Sequence, residues 1–105
     1  MTMSNLIQTA EKEILRKEIL NLCYQASSVG CSTDVLVAAF AHSGVSGRER
    51  EEIVRQVDYL KSKGLVTVEA VGNERLNLSK DIVKLTPDGI DYLEGNTGQI
   101  AGIGG

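Results

Sequence analysis

The sequence predicts a mainly α domain with a small antiparallel β-wing: a three-helix core, a two-stranded wing and a short C-terminal helix. Three observations carry this. Residues 46–65, SGREREEIVRQVDYLKSKGL, form one amphipathic stretch that stops at a glycine and runs directly into β-branched residues. Two further stretches of helical periodicity precede it, separated by short glycine-containing breaks. Leu85-Thr86-Pro87 closes the β segment with the signature of a helix start.

Helix one is expected over 5–27. Leu6, Ile7, Ala10, Ile14, Leu15, Ile19, Leu22, Cys23 and Ala26 keep helical spacing, with Glu and Lys between them. Ile14, Leu15, Ile19, Leu22 and Cys23 make a broad stripe for the core. Leu6, Ile7 and Ala10 extend beyond what a minimal core has to cover, and this surplus points to a homodimer through helix one. Ser27-Ser28-Val29-Gly30 breaks the pattern, and Ser32 or Thr33 caps helix two, 33–42, whose apolar side uses Val35, Leu36, Ala39 and Phe40. The turn His42-Ser43-Gly44-Val45 suits two helices set at a steep angle.

Helix three is expected over 47–63, opened by Ser46 and Glu49 as a capping box. Gly64 ends it, because a left-handed cap costs glycine nothing. Ile53, Val57 and Leu60 recur at i, i+4, i+7 and turn inward. Arg48, Glu51, Glu52, Arg55, Tyr59 and Ser62 fall on the opposite face. The wing spans 65–85: a strand from Leu65 to Val71, a turn at Gly72-Asn73, a polar wing loop from Glu74 to Asp81 with room for a little pairing of its own, and a return strand from Ile82 to Leu85. Helix four, 87–94, takes Thr86 as cap and Pro87 at its first position, with Ile90 and Leu93 holding it down. Residues 96–105, NTGQIAGIGG, are expected to form a flexible glycine-rich tail after a single domain, 1–95.

Composition narrows the function. The net charge is −3, from 11 Lys plus Arg against 14 Asp plus Glu, which argues against a surface coated in cations for nonspecific grip on nucleic acid. Two cysteines are too few for a secreted disulfide scaffold, and Cys23 sits among apolar residues, where a thiol behaves as a small hydrophobe. No basic-apolar leader and no membrane-length apolar run is present, so a cytoplasmic protein is expected. With one histidine and two cysteines in unrelated contexts, neither a triad nor a zinc site can be assembled. No enzyme activity, metal, cofactor or small-molecule substrate is therefore expected. His42 is read as capping the C-terminal end of helix two, where a partial positive charge meets the exposed carbonyls, with metal binding as the minor reading. The glycines of GQIAGIGG lack the preceding strand and following helix that make a phosphate loop.

The order of three helices, strand pair and helix, with KSKGLVTVE and VKLTPDGIDYLEG, resembles the winged helix-turn-helix families of bacterial and phage regulators. Their shared ending is a hydrophobic strand, Leu-Thr, and a glycine three residues on, here Leu85, Thr86 and Gly89. A closer resemblance is to a family of small proteins of Mu-like phages and prophages, carried by EKEILRKEILNLC, by Arg55 to Val66 and by Gly102-Ile103. It covers about residues 9–103. The resemblance implies a fold more than a task, and here the wing is longer and the tail ends in glycines.

Two readings of helix three are weighed, and the first is the expectation: a sequence-selective DNA-binding protein acting as a regulatory or DNA-processing accessory factor, with the second as its alternative. In the first, double-stranded DNA is the partner. Arg48 and Arg55 enter a major groove, Ser43, Ser46 and the first-turn N–H groups hold phosphates, Tyr59 shares the contact face, and Arg75, Lys80 and Lys84 of the wing touch the neighbouring backbone. In the second, the charges are a solvated face of pairs such as Glu51 with Arg55 and Arg48 with Glu52, and the domain is a protein-protein module in a phage complex. A continuous positive strip around Arg48, Arg55 and Arg75 would favour DNA, and a broken one would favour protein.

Overall fold

The structure, a computed structural model, describes residues 3–26, 29–73, 75 and 78–95, without the side chains of 3–6, 73, 78 and 79. Four helices are present among them: α1 (Met3–Ala26), α2 (Thr33–Ser43), α3 (Arg50–Ser62) and α4 (Pro87–Leu93). Strands β1 (Cys31–Ser32), β2 (Val66–Asn73) and β3 (Leu78–Leu85) make one antiparallel sheet in the order β1-β3-β2. The expected tail at 96–105, the break at Ser27-Ser28, Glu74 and Leu76 of the loop, and the Leu6 side chain lie outside the described residues.

The expected two-stranded sheet has a third strand. Cys31 and Ser32 pair with Val83 and Ile82 of β3. Two residues are too few to show the alternation by which a strand is read, and Ser32 is also the N-cap of α2, accepting from the Val35 N–H at 3.1 Å. The hairpin is longer than expected as well. β2 runs to Asn73 and β3 begins at Leu78, so Lys80 and Asp81, expected in a loop, pair with Val71 and Ala70. Cross-strand backbone bonds hold even polar residues in register, a term that composition does not display.

The core joins all the helices of the first half to the sheet. Leu15, Ile19, Leu20 and Cys23 of α1, Leu36 and Phe40 of α2, Ile53, Val57 and Leu60 of α3, then Leu65, Val66 and Val83, are buried together. Two differences from the expected stripes matter. Ile14 is 51% exposed and Leu20 is fully buried in the core cluster, and α4 also packs on α1. That contact is tied by the Tyr24 hydroxyl, which donates to Glu94 Oε2 at 2.9 Å and whose pKa is raised by that hydrogen bond and the carboxylate's charge. On α2, Val35 and Ala39 are exposed, leaving Leu36 and Phe40 as its anchors.

The junction from α3 to β2 forms as expected. Leu65 donates its N–H to the Leu60 carbonyl at 3.1 Å and Gly64 to that of Lys61 at 3.0 Å, with Gly64 at φ 75°. This is a Schellman motif, and its flanking residues Leu60 and Leu65 are both buried. A single hydroxyl then ties the next junction. Thr86 Oγ1 donates to the Gly64 carbonyl at 2.6 Å and accepts from the Gly89 N–H at 3.1 Å, so it caps α4 and fastens it to the end of α3.

Gly89 is buried because no side chain fits there. A Cβ would lie 2.2 Å from the Leu65 carbonyl oxygen and 3.2 Å from Leu85 Cδ2. The first is backbone and cannot rotate away. Gly89→Ala is expected to destabilise by about 1–3 kcal/mol, since the clash outweighs the roughly 1 kcal/mol gained in helix propensity. Urea unfolding checks this, and a stabilised variant would show that α4 is not docked against Leu65.

Both cysteines are free and buried. Burial, with the neighbouring Cys31 thiol adding to it, pushes the Cys23 pKa up to about 12, and burial raises that of Cys31. A raised thiol pKa favours the fold below its ordinary value of 9.0 and loses that contribution as pH climbs towards about 12. Stability measured by urea should therefore fall between pH 9 and 11. Neither thiol should react with Ellman's reagent at pH 8 until denaturant is added.

Candidate nucleic-acid interface

The surface at issue is built from the loop before α3, the outer side of α3 and the β2–β3 hairpin. Helix α3 does not begin where the capping signal suggested. Gly47 adopts φ 80°, a left-handed conformation that a helix cannot continue through, so the first helical residue is Arg50. Glu49 stands at the N-cap without a side-chain hydrogen bond. Ser46 therefore lies in an exposed loop, and Arg48 precedes the helix.

That shift changes what Arg48 does. Its side chain is only 10% exposed, with Nη2 3.5 Å from Glu18 Oε1 on α1 and the guanidinium carbon 5.9 Å from the Phe40 ring centroid. Its buried Nε has no partner among the described residues. Arg48 is thus part of the join between α1 and the loop, not an exposed member of a helix face. Its expected pairing with Glu52 is replaced by Glu18.

Arg55 is exposed on α3 and forms an ion pair with Glu52, one helical turn before it, in place of the expected Glu51. Glu52 holds more than Arg55. Its Oε1 accepts from Gln56 Nε2 at 2.7 Å, and Gln56 Oε1 accepts from Arg16 Nε of α1 at 2.7 Å. Gln56 is 2% exposed and is the buried polar residue among the described residues. Its position, between Ile53 and Val57 on the inward face, was visible in the sequence, although its partner on α1 was not.

Tyr59 is half-buried against the core. The Arg16 guanidinium carbon sits 3.6 Å from its ring centroid, and Lys63 Nζ sits 5.5 Å away on the same ring. Ser43, the last residue of α2, donates to the Phe40 carbonyl at 2.6 Å and accepts from the Val45 N–H at 3.3 Å. These bonds shape the turn after α2. On the hairpin, Arg75 at the tip and Lys80 on β3 are exposed, while Lys84 is half-buried with Nζ 3.5 Å from Glu69 Oε2 of β2.

The structure adds Arg50, which sequence reasoning passed over. Its Nη2 lies 2.7 Å from Asp34 Oδ1 in the first turn of α2. Arg50, Val54, Asp34, Thr33, Lys80 and Asp81 share one hollow between α2, α3 and β3, where two cations face two carboxylates. Every arginine on or just before α3 thus has a carboxylate partner. Of the eight residues expected to bind DNA, Arg55, Arg75, Lys80, Ser43 and Ser46 are exposed, and Arg48, Tyr59 and Lys84 are partly withdrawn into internal contacts.

Among the described residues no group of histidine, cysteine or acidic side chains could hold a metal ion, and no helix is long and apolar enough to cross a membrane. The arrangement is a mainly helical domain with a small three-stranded antiparallel sheet, in which the arginines on or just before α3 face carboxylates. No family model, curated protein or solved structure matches the chain.

Proposed function

We propose that this chain is a winged helix-turn-helix module of the kind found among small proteins of Mu-like phages and prophages, acting in the cytoplasm as a protein-protein component of a phage complex. The fold reading is supported by the element order and by the β2–β3 hairpin in the position of a wing. One observation carries the functional reading. The cations that would grip DNA already face carboxylates: Arg48 with Glu18, Arg50 with Asp34, Arg55 with Glu52 and Lys84 with Glu69. Exposed pairs are individually weak, at about 0–1 kcal/mol. Their effect on DNA binding is larger than that figure suggests, because a released carboxylate stays beside the phosphates and repels them. Glu52 is the firmest obstacle, since its side chain is 19% exposed and also holds Gln56.

Sequence-selective DNA binding is the second reading, favoured by one specific feature. Arg55 and Arg50 keep side-chain exposures of 64% and 55%, and Arg75 and Lys80 extend the cationic positions onto the hairpin. Fluorescence titration with random duplex at low salt separates the two. The protein reading expects no saturable binding. The DNA reading expects micromolar binding whose logarithm falls with log salt by close to 0.9 per phosphate neutralised, with Arg75→Ala making that slope shallower by about one unit.

A further inference from the structure

We draw no further inference here: the strongest candidate, the hollow between α1 and the loop before α3 lined by Gln8, Glu11, Lys12, Arg48, Glu49 and Glu52, carries nothing because no second observation beside its glutamates points to a ligand, the buried Arg48 being already turned to Glu18.

Discussion

Ile53→Ala is expected to lower the unfolding free energy by about 2–5 kcal/mol, the largest effect of any single change considered for this chain. Ile53 is fully buried in the first turn of α3, in one cluster with Leu15 and Ile19 of α1 and Leu36 of α2. Truncation removes three carbon atoms and leaves a cavity that three packed elements cannot close without moving together. The neighbouring residue is the control. Val54 is 40% exposed on the outer side, and Val54→Ala should stay within about 0.5 kcal/mol. Equal effects in urea unfolding would mean that α3 presents a different face to the core.

Gln56→Ala is expected to cost about 2–3 kcal/mol for a different reason. Gln56 connects Arg16 on α1 to Glu52 on α3 through two hydrogen bonds of 2.7 Å while itself 2% exposed. Its removal creates a cavity and leaves a donor and an acceptor at the α1–α3 contact without their partner. Gln56→Met separates these terms, because it restores most of the volume and none of the hydrogen bonds. If Met recovers full stability, the polar chain contributes nothing and the site is ordinary packing. A loss that persists in Met supports the view that Glu52 is held by the interior and is not free to leave Arg55.

The elements with strong local signals were legible. The Ile53, Val57, Leu60 face, the Gly64 stop and the Thr86-Pro87 start each state their structure within a few residues, and each formed as read. What failed were features set by distant chain. Ser46 and Glu49 match a capping box, but Gly47 between them turns left-handed and Arg48 is drawn to Glu18, thirty residues earlier. The two-residue strand at Cys31 exists only because β3 lies beside it. Leu20 is buried where Ile14 was expected, in a helix that packs on α3, α4 and β3 at once, and periodicity within α1 does not say which of its apolar residues those neighbours cover. At the candidate interface the charges themselves were readable and their pairing was not. Arg55 chose Glu52 over Glu51, and Arg50 found Asp34 across the hollow between α2 and α3.

The central claim is that these pairings leave the outer side of α3 and the hairpin unsuited to a polyanion. Fluorescence anisotropy of a labelled random duplex tests it most directly, at about 0.01 M salt, where the screening length reaches about 30 Å and electrostatic attraction is least damped. The account predicts no saturable rise in anisotropy up to about 100 μM protein, a range that exposes even weak nonspecific binders. Saturable binding in the micromolar range, weakening steeply as salt is added, would contradict it.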